Sequence, residues 1–322
     1  PGRGCTMSVA AVFASHTPLK DYYSPGRAIE REVDDCLRAV RAFVADFAPE
    51  LVIAVGPDHF NGFFYRLMPS FCIGTAATSV GDWNTPAGPL PVAAALAEDC
   101  ARAVHAAGVD IALSHHMEVD HGITQLLNQI FDWAALPPLL PIFVNCAAPP
   151  LPPLARVQAL GAALGAFARD YPGRVLFAAS GGLSHDPPIP GLADAAPPVR
   201  ERLVMGGVLS PAARAARQER VLTEATNQVA GTSTRLAPDA AWDEAFLAHL
   251  EARDFAALLG LDDEAISRQA GCGGHEIRSW LAVAAAADAA GCGAFERRYY
   301  RAIPEWITGY GVMTAAPSTA LT

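Results

Sequence analysis

Four of the nine histidines occupy comparable positions in the sequence. His16, His59 and His185 each follow a short apolar run that predicts a β-strand, and His121 follows another such run within a few residues. Open α/β sheets bind ligands at the carboxyl ends of their strands, so imidazoles from four separate loops could converge at that edge. Imidazole binds divalent metals and exchanges protons near neutral pH. Each histidine taken alone could equally be an ordinary hydrogen-bonded loop residue.

The glycine pair Gly181-Gly182 lies just before His185, and such turns also occur in phosphate-binding loops and in the nucleophile elbows of hydrolases. Neither template fits this sequence. It lacks G-x-x-x-x-G-K-S/T, and Ser180 and Ser184 do not form G-x-S-x-G. We therefore interpret the two glycines as positions where the backbone approaches a bound ring closely.

The elements that would position these residues alternate along the first part of the chain. Apolar runs predict strands at Val9–Ala14, Leu51–Gly56, Asp110–Leu113, Leu139–Val144 and Val175–Ala179. Between them, apolar residues recur every three or four positions and predict helices at Glu30–Phe47, Pro91–Ala107, Gly122–Phe131 and Leu154–Ala168. This alternation is typical of parallel strands joined by helical crossovers.

The sequence after Pro198 has a mainly helical pattern, with predicted helices at Arg214–Val229, Trp242–Glu251 and Glu276–Ala290. No internal repeat or flexible linker divides the chain. We therefore predict an α/β fold in a single domain, with a mostly parallel central sheet covered by helices and a helical C-terminal part. The expected domain is residues 7–315, preceded by an upstream extension or cloning remnant at residues 1–6 and followed by a tail at residues 316–322.

Six segments carry a family resemblance, and they occur in order between about Met7 and Met313 with similar spacing. They are S-H-T-P-L (15–19), P-D-H-F-N-G-F-F (57–64), V-D-H-G (119–122), S-G-G-L-S-H-D-P-P (180–188), G-H-E-I (274–277) and Y-Y-R-A-I-P-E-W-I (299–307). Together they resemble the class III extradiol ring-cleavage dioxygenases. The resemblance implies O2-dependent cleavage of a catechol ring beside its two hydroxyl groups, in the catabolism of aromatic compounds. It also implies a 3-substituted catechol with a propionate or acrylate side chain as substrate.

By this resemblance, His16, His59 and Glu276 bind Fe(II). Two imidazoles and one carboxylate hold a divalent iron on one face and leave the opposite coordination positions free for a catecholate and O2. Glu276 opens a predicted helix, so its ordinary role would be an interaction with the helix dipole. The neighbouring His275 is a poor candidate, because adjacent helical side chains diverge by about 100 degrees and do not aim at one ion.

The resemblance also assigns an acid–base pair. His185 is expected to be the proton acceptor as the catechol binds, and His121 the proton donor later in the reaction. An unperturbed imidazole pKa of about 6.5 suits both tasks. Asp120, immediately before His121, could orient a ring or simply shape its own turn, and the sequence does not decide between these roles.

The chain carries 23 Lys and Arg residues against 33 Asp and Glu residues, for a formal net charge of -10. This acidic balance and the lack of basic runs argue against a nucleic-acid partner and against binding to an anionic membrane surface. The longest uncharged stretch, Trp133–Ala155, contains seven prolines, which forbid a continuous membrane-spanning helix.

A low content of charge favours buried subunit interfaces. Only 17% of the residues are charged, below the roughly 25% of typical soluble proteins, so we expect a homo-oligomer. The aromatic residues after His59 could line a pocket or pack into such a subunit contact; they are Phe60, Phe63, Phe64 and Tyr65.

The seven scattered cysteines form no C-x-x-C pair and no export signal is visible, so we expect reduced thiols and a cytoplasmic protein. Three other functions stay open, and the first is extradiol cleavage of another substituted catechol. Imidazole and carboxylate ligands also suit Zn2+, as in a hydrolase or another metal-dependent lyase. The chain could instead be a non-catalytic binding protein of the same fold, although it retains all the presumed ligands and both presumed acid–base histidines.

Overall fold

The computed structural model describes residues 8–318, which contain eleven strands and ten α-helices. The strands are β1 (Ser8–Ala14), β2 (Leu51–Gly56), β3 (Phe71–Gly74), β4 (Ala77–Ser79), β5 (Gly88–Pro89), β6 (Ala112–Ser114), β7 (Met117–Val119), β8 (Leu139–Val144), β9 (Arg174–Ser180), β10 (Cys292–Ile303) and β11 (Thr308–Pro317). The helices are α1 (Arg27–Phe47), α2 (Ala94–Ala106), α3 (His121–Ile130), α4 (Leu154–Asp170), α5 (Pro197–Met205), α6 (Pro211–Ala230), α7 (Ala240–Glu251), α8 (Phe255–Leu259), α9 (Asp263–Ala270) and α10 (Ile277–Ala289).

Eight of the strands form the central sheet, in the order β10-β11-β1-β9-β2-β8-β3-β6. The middle strands β1, β9, β2 and β8 run parallel to one another, and β6 runs parallel to β3. The pairs β1-β11, β10-β11 and β3-β8 are antiparallel. The middle strands are apolar and almost entirely buried, because helices cover both faces of the sheet. The predicted mostly parallel α/β sheet is confirmed.

Successive side chains of each strand enter two different cores, one on each face of the sheet. On β1, Phe13 packs into the core that includes α2, α4 and α10. Its neighbour Val12 packs into the core that includes α1 and α3. Within residues 8–318, none of the helices combines the length and the apolarity that crossing a bilayer requires.

The last part of the chain differs from the prediction. Helices α5 to α10 match the predicted helical part, but that part is followed by the antiparallel hairpin β10-β11, which was not predicted. Strand β11 pairs with β1 and so extends the central sheet. Exposed charged side chains on β10 and the glycines Gly309 and Gly311 on β11 obscure the pattern typical of strands.

The predicted domain ends are adjusted accordingly. Strand β11 includes Ala316 and Pro317, which the sequence had placed in the tail. The predicted extension at residues 1–6 lies outside the described residues, as do residues 319–322 of the tail.

A small second sheet has the strand order β5-β4-β7. It contains the strand that precedes His121, which was predicted to lie in the central sheet. The strand predicted at Asp110–Leu113 corresponds to β6, which begins at Ala112 and lies at the edge of the central sheet. The strand that leads into His121 is instead β7 of the small sheet. Strands of two or three residues carry too little alternation for the sequence to reveal them.

We expect Gly161→Ala to destabilise the fold by about 1–3 kcal/mol, because the new methyl group would overlap the carbonyl oxygen of Ala282 where α4 packs against α10. The higher helix propensity of alanine stabilises α4 by roughly 0.5–1 kcal/mol and offsets part of this loss. Urea unfolding of the variant and the wild type measures the net change in the free energy of unfolding. Gly191→Ala is the control, because a Cβ there meets nothing closer than 3.7 Å. Equal stability of the two variants would show that α4 and α10 can separate freely.

Candidate active site

Three adjacent strands of the sheet bring three of the four predicted histidines to one edge. Strands β1, β9 and β2 are neighbours, and the loops after them carry His16, His185 and His59. His121 reaches the same place as the first residue of α3. Its ring centroid lies 4.2 Å from that of His59 and 5.3 Å from that of His16. The predicted convergence of the four imidazoles therefore occurs.

Glu276 is the common neighbour of three of these rings. Its Oε1 atom lies 3.2 Å from His59 Nε2 and 3.4 Å from His185 Nε2, and its Oε2 atom lies 3.7 Å from His16 Nε2. The Gly182 N–H donates a hydrogen bond of 2.6 Å to Oε2. Burial alone would raise the pKa of Glu276, but the imidazoles of His185 and His16 hold it well below its ordinary value. The carboxylate is therefore charged and buried among imidazoles.

Glycines allow this close approach. Glu276 ends a short 3-10 turn, Cys272–Glu276, directly before α10. A Cβ at Gly273 or at Gly182 would overlap the ring of His185. The sequence had indicated that Gly182 lets the backbone approach a bound ring; in the structure, the ring that it admits is the side chain of His185.

Asp120 orients a ring, but the ring is that of His59 rather than that of its neighbour His121. The His59 backbone N–H donates to Asp120 Oδ2 over 2.8 Å, and His59 Nδ1 lies 3.2 Å from the same oxygen. Asp120 also caps α3 by accepting a hydrogen bond from the Gly122 N–H. Both roles left open by the sequence are therefore present. Burial would raise the pKa of Asp120, but His59 and His121 hold it well below the ordinary value.

Asp82 orients the ring of His121 in the same way, and the sequence analysis did not predict this residue. Its Oδ2 atom lies 2.6 Å from His121 Nδ1, and its Oδ1 atom accepts a hydrogen bond of 2.8 Å from the His121 backbone N–H. Asp82 is buried in a short turn in which Trp83 and Asn84 have φ values of 50° and 60°. Such strained backbone is common at functional sites. The only signal in the sequence is the turn-forming string G-D-W-N (81–84).

The hydrogen bonds on the far side of each ring determine which nitrogen faces the cluster. His185 Nδ1 lies 2.9 Å from the Leu183 carbonyl oxygen, and His59 Nδ1 lies against the Asp120 carboxylate. These oxygens only accept hydrogen bonds, so in a neutral ring Nδ1 carries the proton and Nε2 presents a lone pair. Both Nε2 atoms face Glu276. A lone pair directed at a carboxylate requires a cation between them, either a proton or a metal ion.

His16 is also held as a neutral ligand would be. Its Nδ1 atom lies 3.2 Å from Ser180 Oγ, which leaves Nε2 for the cluster. Burial and the neighbouring imidazoles lower the pKa of His16 to about 3, although Glu276 acts in the opposite direction. A neutral imidazole is the form that binds a metal ion.

Among residues 8–318, two groups of three side chains bring one potential ligand atom each to within 4.8 Å of one another. The first contains His16, His59 and His121, and the second contains Asp82, Asp120 and His121. Glu276 adjoins the first group through its contacts with His16 and His59. The neighbouring His275 lies apart, because its ring nitrogens contact Ser267 and Arg278.

A cavity of about 350 Å³ opens beside the cluster, a size suited to a small organic ligand. All four histidines line it, together with apolar side chains that include Leu19, Phe60, Trp83, Ile189 and Trp306. Of the aromatic residues after His59, only Phe60 lines this cavity. Phe63 instead stacks on Phe143, with ring centroids 3.9 Å apart.

Residues 10–312 match the protein family described as the catalytic LigB subunit of aromatic ring-opening dioxygenase. The chain belongs to this family. The match confirms the resemblance to class III extradiol enzymes, and the protein is a ring-opening dioxygenase that depends on a metal. The match therefore favours a dioxygenase over two of the alternatives that the sequence left open, a zinc-dependent hydrolase or lyase and a non-catalytic binding protein.

Curated relatives of the dioxygenase align along nearly its whole length. Those from Mycolicibacterium gilvum and Pseudomonas putida are each 47% identical, and the alignments cover 95% and 96% of this chain and 98% and 99% of theirs. A third, from Mycolicibacterium smegmatis, is 45% identical over 97% of this chain and 100% of its own. Each is named 2,3-dihydroxyphenylpropionate/2,3-dihydroxicinnamic acid 1,2-dioxygenase. The name of the Pseudomonas protein ends with the number 1.

In the dioxygenase, a buried network anchors the loop that carries His185. Asp243 Oδ1 accepts a hydrogen bond of 2.7 Å from the Ser184 backbone N–H, and Oδ2 accepts hydrogen bonds of 2.7 Å from Ser184 Oγ and from the Tyr300 hydroxyl. Tyr300 belongs to β10, so the unpredicted hairpin supports the site. Burial raises the pKa of Asp243 from 3.8 to about 6, although these hydrogen bonds act in the opposite direction.

We expect Asp243→Asn to remove one component of the pH dependence of stability. The neutral carboxyl stabilises the fold fully below about pH 3.8, and this contribution, about 3 kcal/mol, is lost as the pH rises through about 6. The amide does not titrate and can still pair with Ser184 and Tyr300. Relative to the wild type, the variant should therefore gain about 2.4 kcal/mol between pH 4 and pH 7.5 in urea unfolding. Parallel pH profiles for the two proteins would contradict this assignment.

Proposed function

We propose that this dioxygenase uses O2 to cleave 2,3-dihydroxyphenylpropionate, and also 2,3-dihydroxycinnamate, beside the two hydroxyl groups rather than between them. The names and the near full-length identity of its relatives support this substrate. The observation that carries the proposal is the wall of the cavity. There the anchored imidazoles of His121 and His185 adjoin the group formed by His16, His59 and Glu276.

Fe(II) is the proposed metal, and Nε2 of His16, Nε2 of His59 and the carboxylate of Glu276 would hold it. Two imidazoles and one carboxylate are the ligand set of non-heme iron oxygenases. Ligand atoms about 2.1 Å from one ion and at right angles lie about 3 Å apart. The Glu276 oxygens lie 3.2 Å from His59 Nε2 and 3.7 Å from His16 Nε2, close to that spacing. When bound, iron would bring both catechol oxygens and O2 together and let electrons pass between them.

His185 is the proposed proton acceptor. Its Nδ1 proton is donated to the Leu183 carbonyl, so Nε2 is the nitrogen free to take a proton from a catechol hydroxyl. The ring lines the cavity beside Glu276, where that hydroxyl would enter. The Ser184 and Asp243 network described above keeps the loop in place.

His121 is the proposed proton donor. Asp82 accepts a hydrogen bond from Nδ1–H of His121. A second proton on Nε2 is therefore the one available to the substrate. The ring stacks on that of His59 and lines the same cavity. Asp82 is thus proposed as a positioning residue for His121, and Asp120 for His59.

We further propose that the enzyme is a homo-oligomer that acts in the cytoplasm. Large apolar side chains are exposed at Leu67, Met205 and Val208, which are 81%, 56% and 87% accessible. Backbone hydrogen bonds from Tyr65 and Arg66 join the two segments that carry them. Adjoining segments therefore carry several large exposed apolar side chains, a feature that subunit contacts commonly cover.

Anaerobic loading with Fe(II) should give a protein that turns 2,3-dihydroxyphenylpropionate yellow in air and consumes one O2 per ring. His16→Ala and Glu276→Ala should abolish both the turnover and the iron retained after gel filtration, because each removes a proposed ligand. His116→Ala, an exposed histidine, serves as the control. Normal turnover by either ligand variant would refute the ligand set, and zinc-dependent turnover without oxygen uptake would refute the proposed chemistry.

The acid–base assignment predicts that His121→Gln and His185→Gln keep their iron and lose roughly 10²–10⁴-fold in kcat, the typical contribution of a positioned proton-transfer group.

Asp82→Asn should lower kcat with iron retained, whereas Asp120→Asn should weaken iron binding about 10–100-fold, since it orients a ligand. Iron content and single-turnover absorbance distinguish the two carboxylates. The same defect in both Asn variants would show that they do not serve separate rings.

A further inference from the structure

Three arginines line the cavity on the side formed by α5 and α6. Arg202 belongs to α5, and Arg217 and Arg220 belong to α6. Among the described residues that line this cavity there is no aspartate or glutamate. This side of the cavity is therefore positively charged, although the whole chain carries a formal net charge of -10.

Two of these arginines are held side by side. A guanidinium N–H of Arg202 donates a hydrogen bond of 2.8 Å to the Phe60 carbonyl oxygen, and one of Arg217 donates a hydrogen bond of 2.8 Å to the adjacent His59 carbonyl oxygen. Burial, followed by the charge of Arg217, lowers the pKa of Arg202. The two positive charges thus repel each other at one place in the cavity wall.

No anion in the described part of the chain compensates these two charges. Within residues 8–318, no carboxylate oxygen lies within 4.0 Å of the guanidinium nitrogens of Arg202 or Arg217. The Nε atom of Arg202 is buried and, in the same part of the chain, has no hydrogen-bond partner. Asp58, which influences Arg202 at longer range, accepts hydrogen bonds from the backbone of Asn61, Gly62 and Phe63 instead.

Arg220 differs from the other two. It is exposed, and its guanidinium donates to the Ala216 carbonyl oxygen of its own helix. The nearby Lys20, outside the cavity lining, is paired with Asp34. Arg202 and Arg217 are therefore the partly buried cations of the cavity, and Arg202 has a buried nitrogen that no group in the described residues uses.

Their location relative to the proposed metal site suits a short acidic side chain. Both guanidinium groups hold the backbone of His59 and Phe60, so they flank the segment that supplies a proposed iron ligand. The carboxylate oxygens of a propionate tail reach about 5 Å from the ring, since three carbon–carbon bonds of about 1.5 Å and one carbon–oxygen bond separate them from it. Guanidinium groups bind carboxylates through paired N–H donors and with strong orientation.

We propose that Arg202 and Arg217 together bind the side-chain carboxylate of the catechol substrate and thereby select a 3-substituted catechol with an acidic tail. This inference rests on the proposed function. A catechol with a neutral tail would leave both guanidinium groups and the buried Nε unpaired. The free energy lost in this way would make the enzyme prefer a catechol with an acidic tail over one with a neutral tail.

The first test compares 2,3-dihydroxyphenylpropionate with 3-propylcatechol, which has a tail of the same length and no carboxylate. Arg202→Met and Arg217→Met should each lower kcat/KM for the acid about 10–100-fold, mainly through KM, the range expected when a hydrogen bond to a charged group is lost. They should keep or raise kcat/KM for 3-propylcatechol, because losing a guanidinium also removes the cost of leaving it unpaired beside a neutral tail. Arg200→Met on α5 and Arg214→Met on α6 are matched controls, because neither residue lines the cavity.

The neutral substrate distinguishes binding from structural support. If the arginines only hold the His59 backbone in place, both substrates will lose activity equally in the variants, and the proposal is overturned. Unchanged kinetics for the acid would overturn it as well. If the wild type cleaves 3-propylcatechol but not the acid, the substrate proposal fails while ring cleavage stands.

A binding measurement makes the result independent of turnover. Calorimetry should detect 3-phenylpropionate, which has no catechol hydroxyls, binding to wild-type protein prepared without added metal, and about 10–100-fold weaker binding to either Met variant. The alcohol 3-phenylpropanol should bind wild type and variants alike. Equal affinity of the wild type for the acid and the alcohol would refute the carboxylate site, even if the enzyme cleaved neither catechol.

Discussion

The arrangement of the site depends on the buried carboxylate of Glu276. It is only 5% exposed, and in residues 8–318 its charged partners are the imidazoles of His16, His59 and His185 rather than a lysine or arginine. Burying an uncompensated carboxylate is costly, so a proton or a metal ion between Glu276 and these imidazoles must supply the positive charge that offsets it. A cation at this point is therefore a requirement of the fold as well as of the chemistry. We infer that metal binding stabilises the protein by linking three loops through one ion.

The rest of the scaffold makes that arrangement rigid. Neighbouring parallel strands place the three histidine loops side by side, and the glycines Gly182 and Gly273 let backbone and imidazole approach. Asp120 and Asp82 each bind a ring nitrogen and a backbone N–H. Each ring is consequently oriented by the same side chain that shapes the neighbouring turn, so a change in local folding would also change the tautomer presented to the substrate.

The sequence predicted those parts of the fold that depend on local patterns. Apolar runs identified the buried middle strands, and the residues after them identified His16, His59 and His185, whereas the strand that leads into His121 was assigned wrongly. Asp82 could not be found in this way, because its contact with His121 spans 39 positions and depends on a small sheet of very short strands. The partner of Asp120 was also hidden. Adjacency in the chain suggests His121, but the cap of α3 turns the carboxylate toward the loop after β2.

The hairpin β10-β11 was missed for a related reason, and it contributes to function. Its charged edge strand and its glycines resemble a loop when each segment is considered alone, and only pairing with β1 makes them a sheet. Through Tyr300 the hairpin supports Asp243, and through Asp243 it supports the His185 loop.

The two sides of the cavity have opposite electrostatic character, and this polarity gives a physical reason for substrate orientation. Near the histidines lie the buried carboxylates of Glu276, Asp120 and Asp82, whereas the α5–α6 side presents Arg202 and Arg217. The proposed substrate has the matching polarity, with two hydroxyl groups that can lose protons at one end and a carboxylate at the other. The reversed orientation would move that carboxylate away from the guanidinium groups of Arg202 and Arg217 and toward the buried carboxylates, which is an unfavourable exchange of charges. The charge distribution therefore favours the one orientation in which the hydroxyls face the proposed metal ligands and His185, even before any bond to a metal forms.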